Sequence, residues 1–328
     1  MNLKNKLQTI FLLLLVIIPF NVLAYSDYVV VGGNNIGIEV NSKGVMVVGF
    51  YEVGGKSIGR EAGFKLGDKI IEVNGKEVSN INEMIDAINL SIKNSKINFT
   101  INRNNNIETI DLKLVKDKNN VYKTGLYVKD KITGIGTLTY IDPETKIFGA
   151  LGHEIIDSSS NVKIELKDGK IFGATITGIT KSTDKITGEK RANFNEEVTY
   201  GSIAENTTSG IYGKYFKEIS NSKLYKVAYP SDITLGPAKI LTVLDKNNIK
   251  EYTINIIKIN ENTNTKNILF EITDDELKDK ANGIIKGMSG SPIVQDDKII
   301  GAVTHAIVND NTKGYGIFIT TMLKEGEN

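Results

Sequence analysis

The sequence contains no cysteine and no tryptophan, and only two of its 328 residues are histidines. Without cysteine the chain can form no disulfide, no catalytic thiolate and no cysteine-ligated metal site. The two histidines, His153 and His305, are too few to build a histidine-rich metal cage. We therefore predict no metal site, and any imidazole chemistry has to use one of these two side chains.

The chain also lacks an excess of charge of either sign. It carries 40 Lys and Arg residues against 39 Asp and Glu residues, which gives a net charge of +1. This balance provides no electrostatic indication of a nucleic-acid partner. The sequence has no Gly-x-x-x-x-Gly-Lys-Ser/Thr loop either, so no nucleotide and no other cofactor is predicted.

The N-terminus has the three regions of a secretory signal. Lys4 and Lys6 precede an apolar run over residues 10–18, and small or aliphatic residues lead up to Ala24. The run is shorter than the ~20 residues that cross a bilayer comfortably. We predict an exported protein whose residues 1–24 are removed after Ala24, with an uncleaved membrane anchor as the alternative. An exported chain without cysteine suits a bacterial envelope, where disulfides are optional.

Residues 25–115 are predicted to form short strands around one helix. With 31 glycines and many Val, Ile and Thr residues, the whole chain is predicted to be mainly β. Residues 62–76 read Ala-Gly-Phe-Lys-Leu-Gly-Asp-Lys-Ile-Ile-Glu-Val-Asn-Gly-Lys, which indicates a helical turn, a strand and an Asn-Gly hairpin. Residues 82–92 have apolar side chains at helical spacing, with Asn82 as the candidate N-cap. This region resembles PDZ domains.

PDZ domains bind extended peptides by adding a strand to a sheet edge, while a backbone loop captures the terminal carboxylate. The candidate loop is Ile36-Gly37-Ile38, which has the hydrophobic-Gly-hydrophobic pattern of the family. The peptide ligand would come from this chain in cis or from a partner in trans. The alternative is that the glycines in this region only turn the chain after the signal segment.

From residue 116 onward short strands follow one another at fairly regular spacing, which favours a barrel or a sandwich. The polar, breaker-rich residues 116–125 are predicted to contain the linker. The second domain is therefore assigned to residues 116–328.

The end of this domain carries the clearest catalytic motif, Gly287-Met288-Ser289-Gly290-Ser291-Pro292, followed by an apolar strand and a Gly-x-Gly turn. This ending resembles that of trypsin-like peptidases. The resemblance implies a double β-barrel in which Ser289 is the nucleophile. It also implies that the backbone N–H groups of Gly287 and Ser289 stabilise the oxyanion that forms when the hydroxyl attacks a carbonyl.

A serine hydroxyl is a weak nucleophile and needs a general base within hydrogen-bond reach. His153 follows the small residues of Phe-Gly-Ala-Leu-Gly, well before Ser289, which is the order that trypsin-like peptidases use. We predict His153 as the base. His305 ends the strand after the serine loop and is predicted to be a wall of the cleft.

The acid that would orient the histidine is not fixed by the motifs. In trypsin-like chains this aspartate belongs to the first barrel, which indicates Asp157, Asp168 or Asp184. Asp274, in Phe-Glu-Ile-Thr-Asp, lies shortly before the serine loop instead. The alternative for Asp274 is a solvated turn within a charged run.

The C-terminal region further resembles the stage IV sporulation protein B peptidases of endospore-forming bacteria. The matching segments include Gly-Ala-Leu-Gly-His at residues 149–153, Gly-Glu-Lys at 188–190, Gly-Pro-Ala-Lys-Ile-Leu-Thr-Val at 236–243 and the serine loop with its flanks. Proteins of this family also have a signal or anchor segment and an upstream PDZ domain. The resemblance implies the catalytic set Ser289, His153 and Asp274.

The same resemblance implies the function. We expect a secreted serine endopeptidase of the forespore intermembrane space that cleaves itself and a membrane-embedded regulator of a protease during sporulation signalling. The PDZ domain would control substrate or self recognition. The competing hypothesis is a PDZ adaptor fused to an inactive peptidase-like barrel, which the ambiguous aspartate supports. The intact serine and histidine segments favour the enzyme, because losing either one leaves little catalysis.

Overall fold

The computed structural model describes residues 25–91, 96–183, 185–219, 222–307 and 309–327. The predicted signal segment and the candidate acid Asp184 lie outside these residues. Within them, no helix is long and apolar enough to cross a membrane. The described chain is mainly β, and its strands form two closed barrels, the small sheet of a further unit and a separate two-stranded sheet.

The strands β1 to β20 are, in chain order, Tyr28–Val31, Asn35–Phe50, Lys69–Val73, Lys76–Glu77, Lys96–Arg103, Asn106–Lys113, Val115–Lys116, Tyr122–Lys123, Leu126–Ile141, Ile147–Ala150, Leu166–Thr180, Glu189–Thr207, Gly210–Tyr215, Leu224–Val227, Gly236–Val243, Ile249–Ile259, Ile268–Ile272, Pro292–Gln295, Lys298–Ile307 and Asp310–Phe318. The helices α1 to α4 are Ile58–Glu61, Ile81–Ser91, Asp275–Ala281 and Ile319–Gly326, and a 3₁₀ turn covers Pro230–Asp232.

Six antiparallel strands close the first barrel. Strand β9 pairs with β10, β10 with β13, β13 with β12, β12 with β11, β11 with β2, and β2 returns to β9. Apolar side chains that alternate along these strands fill the interior, among them Ile36, Ile38, Phe148 and Ile171. The barrel is therefore a packed core rather than a channel.

Six further antiparallel strands close the second barrel. Strand β19 pairs with β18, β18 with β15, β15 with β16, β16 with β17, β17 with β20, and β20 returns to β19. A separate apolar cluster that includes Tyr140, Tyr225, Ile299 and Met322 contains residues of both barrels and of α4. This cluster holds the two barrels together, and the predicted double-barrel peptidase domain is confirmed.

The PDZ unit is a small sheet packed on helix α2. Its sheet consists of β3 to β6 and the second half of β2, and its core includes Val45, Phe64, Phe99 and Met84. The helix begins at Ile81, and the residue whose side chain caps it is Asn80, which accepts a hydrogen bond from Glu83 N at 2.9 Å. The predicted helix is therefore present, but Asn82 is not its cap.

The predicted carboxylate-binding loop Ile36-Gly37-Ile38 is wrong. These residues lie inside strand β2, which pairs with β9 on one side and with β11 on the other. Their backbone groups are used by two strand partners, so none is free to bind a carboxylate. Gly37 is required for packing instead, because a Cβ there would overlap the ring of Phe172.

The first part of the range predicted for the PDZ domain, residues 25–115, belongs to the first barrel instead. Strand β1 pairs with β9 and β14, and residues 35–41 of β2 belong to the first barrel. The PDZ unit is thus inserted between two neighbouring strands of that barrel. No flexible linker separates the two units in the described residues, because residues 115–123 contain a small β7–β8 hairpin and β9 then runs on from the PDZ unit into the barrel.

Candidate active site

The serine loop adopts a backbone conformation that only its glycines allow. Gly287 and Gly290 have φ angles of 92° and 90°, a region that residues with a Cβ rarely occupy. A Cβ on Gly290 would also overlap the carbonyl oxygen of Thr137 in the first barrel. The loop therefore packs directly against the first barrel and leaves Ser289 partly exposed between its two glycines.

Two backbone N–H groups of this loop are free. Met288 N donates to Ile285 O at 3.1 Å, Gly290 N to Val303 O at 2.8 Å and Ser291 N to Met288 O at 2.9 Å. In the described part of the chain, the N–H groups of Gly287 and Ser289 have no hydrogen-bond acceptor. They are the two groups predicted as oxyanion donors, and their availability supports that role.

His153 follows β10, after Leu151 and Gly152, which both have φ angles of 70°. Its Nδ1 lies 2.8 Å from the carbonyl oxygen of Glu154. Because a carbonyl can only accept, Nδ1 carries the proton and Nε2 keeps a free lone pair. Burial lowers the pKa of His153 below its usual value, so the ring is neutral at neutral pH. This is the tautomer and charge state that a general base needs.

One cleft of about 590 Å³ brings these groups together. Its lining includes Ser289, Gly287, His153 and His305. The two imidazole rings lie with their centroids 5.1 Å apart, and the pKa of His305 is lowered, first by loss of solvent and then by the nearby His153. His305 thus forms part of the cleft wall, as the sequence predicts.

Strand β9 fixes the serine loop to the histidine loop through Thr137. The Thr137 N–H donates to Ser289 O at 3.0 Å, and its Oγ1 donates to Gly287 O at 2.8 Å. The Thr137 carbonyl accepts from Leu151 N at 3.4 Å, two residues before His153. This threonine was not predicted, because a threonine within a strand carries no sequence signal of its contacts.

The Ser289 hydroxyl donates to the backbone carbonyl of Thr304 at 3.0 Å. Its proton is therefore directed at a carbonyl in this conformation and not at His153. Rotation about the Cα–Cβ bond of Ser289 would replace that bond, which is worth about 1 kcal/mol, by one to a base. Catalytic hydrogen bonds often form only when substrate is bound.

Asp274 does not bond to His153 in the structure, contrary to the prediction from family resemblance. It is the N-cap of α3, where Oδ1 accepts from Leu277 N at 3.0 Å and Oδ2 from Thr253 N at 3.2 Å. Oδ1 thus satisfies a donor in the first turn of that helix and Oδ2 a donor of strand β16, and Asp274 is not among the residues that line the cleft.

The other described candidates for the acid are engaged elsewhere too. Asp157 accepts from Lys129 Nζ at 2.8 Å and from the N–H groups of a turn, and Asp168 accepts from Asn41 at 2.6 Å. Of the acids in the described ranges, none is hydrogen-bonded to His153. The group that holds its Nδ1 proton is the Glu154 carbonyl, and a backbone oxygen cannot be found by inspecting side chains in a sequence.

Fold and cleft define a two-barrel serine peptidase with an inserted PDZ unit. Residues 120–323 match the profile of the SpoIVB peptidase S55 family, and residues 35–114 match that of the PDZ domain. The chain belongs to the SpoIVB peptidase S55 family and is a serine endopeptidase that acts on proteins or peptides. No curated protein sequence matches the chain.

Solved structures with similar chains include two of the Rv3671c protease in its inactive form. One, from M. tuberculosis H37Rv, is 12% identical, with a TM-score of 0.29, and the match covers 56% of this chain and 76% of that one. The other is 13% identical, with a TM-score of 0.30, and the match covers 57% of this chain and 80% of that one.

Proposed function

We propose that this protein is an exported serine endopeptidase that cleaves itself and a membrane-associated regulatory protein in a sporulation signalling pathway. The observation that carries the peptidase chemistry is the single cleft that holds Ser289, His153 and the two free N–H groups. The family relationship supports the sporulation pathway. The signal-like pattern of residues 1–24 supports export into the forespore intermembrane space.

In the proposed reaction, Nε2 of His153 takes the hydroxyl proton while Oγ of Ser289 attacks the substrate carbonyl. The resulting oxyanion accepts hydrogen bonds from the N–H groups of Gly287 and Ser289. The Glu154 carbonyl holds the Nδ1 proton of the imidazolium that forms. His153 then gives its proton to the leaving amine, and water hydrolyses the acyl-enzyme by the same steps. Asp274 takes no part in this sequence.

The lining of the cleft favours an apolar side chain next to the cleaved bond. Aliphatic residues of the first barrel and the histidine loop form much of the wall, namely Ile38, Ile132, Ile135, Leu151, Ile155 and Ile156. Glu154, Thr208, Thr265 and Lys286 also line the cleft. An aliphatic or aromatic substrate residue would displace water from this surface, at about 25 cal/mol for each Å² buried.

For the PDZ unit the strand pairing supports recognition in cis. Val45 and Met46 of β2 pair with β3 on one side, and residues 46–50 of β2 pair on the other side with Leu126–Lys129 of β9. A strand of the peptidase half thus takes the position of an added peptide strand. A competing peptide would have to displace β9, which also carries Thr137.

The inactive-adaptor alternative has two observations in its favour. The Ser289 hydroxyl is bonded to Thr304 O, and the imidazole of His153 is held by a carbonyl instead of a carboxylate. A carbonyl stabilises the imidazolium less than a carboxylate does, because it has no net negative charge to offset the positive charge of the ring. Labelling with a fluorophosphonate separates the two functions without a known substrate.

In this experiment the Ser289 oxygen forms a bond to phosphorus, fluoride leaves, and the proton passes to His153. All proteins are prepared without residues 1–24. Intact mass should show one adduct on the wild type and none on Ser289→Ala or His153→Ala. Asp274→Ala should still be labelled. A parallel time course of the unlabelled proteins tests self-cleavage. Absence of any adduct on the wild type would support the adaptor.

The pathway needs its own test in a spore-forming host. A strain that expresses Ser289→Ala in place of the wild type should form fewer heat-resistant spores, with the full-length protein accumulating outside the forespore membrane. Normal sporulation in this strain would reject the signalling role while leaving the peptidase chemistry intact.

A further inference from the structure

Lys190 is an almost fully buried lysine without a carboxylate partner. Its residue is 4% exposed, and among the ion pairs of the described residues it makes none. Nζ donates instead to Asn35 Oδ1 at 2.8 Å and to Thr242 Oγ1 at 2.9 Å. Buried lysines are rare unless paired, so this position calls for a functional explanation.

The hydrogen bonds fit an uncharged amine. A neutral amine has two N–H donors, and Lys190 has two neutral acceptors, whereas an ammonium would leave its third N–H unpaired. Burial lowers the pKa of Lys190 to about 7, and no neighbouring charge contributes to the shift. A substantial fraction of the amine is therefore uncharged at neutral pH, and its two hydrogen bonds crosslink Asn35 and Thr242.

The crosslink joins three parts of the molecule at one point. Asn35 begins β2 of the first barrel, Thr242 lies in β15 of the second, and Lys190 lies near the start of β12. Asn35 also pairs across the sheet with Thr137, the residue that holds the serine loop. Asn35, which binds the amine, is therefore the direct strand partner of the residue that fixes Ser289.

The backbone and stem of Lys190 lie against the oxyanion loop. Lys190 N donates to Lys286 O at 3.0 Å, and Lys286 N donates to Gly188 O at 2.8 Å. A Cβ placed on Gly287 would lie 3.1 Å from Cδ and 3.3 Å from Cβ of Lys190. The aliphatic stem therefore covers Gly287 from one side, while Thr137 holds its carbonyl.

We propose that Lys190 is a positioning residue of the oxyanion loop, which holds Gly287 so that its N–H faces the reacting carbonyl. This inference rests on the proposed peptidase function, because it concerns the donor that the reaction would use. It assigns Lys190 no proton transfer and no contact with substrate.

The test compares Lys190→Met with the wild type. Methionine keeps the length and apolar stem but loses both hydrogen bonds, so the loop should lose its anchor. With a fluorophosphonate probe we expect the maximal rate of labelling to fall about 10- to 100-fold, because the oxyanion donor is misplaced. The probe concentration that gives half the maximal rate should change less than about 3-fold. Gln295→Met is the control, since Gln295 is also buried, at 6% exposed, and among the described residues its side chain bonds only to Thr234 and Pro237. It should not slow labelling.

A second variant covers the case in which Lys190→Met does not fold. Thr242→Val removes one acceptor and keeps the side-chain shape, so it should slow labelling about 3-fold or more. If Lys190 and Thr242 act through the hydrogen bond between them, the double variant should be labelled no more slowly than Lys190→Met alone. An unchanged maximal rate in Thr242→Val and in any folded Lys190→Met overturns the proposal.

Hydrogen exchange gives a readout that does not depend on activity. Amides of residues 286–290 should exchange faster in Lys190→Met, or in Thr242→Val, than in the wild type and in Gln295→Met. Unchanged exchange overturns the inference even if the wild-type protein is never labelled. If the wild type and the variants are all labelled at the same rate, the role of Lys190 is rejected while the peptidase function stands.

Discussion

The two barrels have the same number of strands, yet they depend on the rest of the chain differently. The second barrel is closed by strands that all lie between residues 236 and 318. The first barrel is closed by β2 and β9, which flank the inserted PDZ unit and continue into it. The second barrel supplies Ser289, and the first supplies His153 and Thr137. The half of the site with the base is therefore the half that is built on strands shared with the PDZ unit.

This difference gives the PDZ unit a physical connection to the catalytic site that needs no contact with the substrate. A change in the PDZ unit can reach Thr137 through the backbone of β9, and no separate hinge is needed. Among the described strands of the second barrel, none is shared with the PDZ unit. Perturbing the PDZ unit should therefore affect the histidine side of the cleft first.

The largest effect is expected where the barrels meet, for Gly290→Ala. The added Cβ would overlap Thr137 O, and the residue would keep an unfavourable φ of 90°. We expect the loss of at least ~3 kcal/mol in the free energy of unfolding and of nearly all fluorophosphonate labelling. Gly236→Ala is the matched control, because Gly236 also has a positive φ but open space around it. It should lose only about 1 to 2 kcal/mol. Equal losses in both variants would contradict close packing between the barrels.

The next effect is expected for Phe99→Ala in the core of the PDZ unit, where the ring is fully buried. Removing it should cost about 3 to 5 kcal/mol. Hydrogen exchange should then increase along β9 as far as residue 137, while the strands of the second barrel keep their protection. Leu90→Ala, at an exposed position of α2, should change neither the free energy of unfolding nor the hydrogen exchange of β9. Protection of β9 that is unaffected by Phe99→Ala would mean that the two units are independent.

A smaller effect is expected for Thr137→Val, which removes one hydroxyl between the barrels. The Gly287 carbonyl would lose a buried partner, at a cost of about 1 to 3 kcal/mol. Labelling of Ser289 should slow about 10-fold, because the loop is less well held. Thr133→Val, at an exposed position of the same strand, serves as the control for β propensity. A rate equal to that of the control would remove Thr137 from the positioning of the loop.

The smallest expected effect is that of pH on the labelling of Ser289. Burial lowers the pKa of His153, so the imidazole should stay neutral, and able to act as a base, below the usual pKa of 6.5. Labelling should therefore decline only at a pH below that value. The chain has two histidines, so NMR titration of the imidazole protons can resolve both, with His305→Gln assigning the signals. A midpoint for His153 at or above 6.5 would refute the burial of the ring.

Local motifs were predicted correctly where the chain itself forms the structure. The Gly-x-Ser-Gly-x-Pro segment predicted a glycine-dependent turn around Ser289, and the Asn-Gly pattern predicted the hairpin within the PDZ unit. Both depend on residues close in sequence. The Ile36-Gly37-Ile38 segment failed for the opposite reason, since its role is set by strands β9 and β11, which lie far along the chain.

The sequence by itself determined the mainly β class and the peptidase family, and it predicted Ser289 as nucleophile and His153 as base, because each of these depends on residue identity or on short-range backbone geometry. Only the tertiary structure decided that the PDZ unit is inserted into the first barrel, that a carbonyl holds the Nδ1 proton of His153, and that Asp274 caps a helix. Backbone oxygens are the same at every residue, and strand partners are chosen by burial across the whole fold, so neither can be identified from residue identities alone.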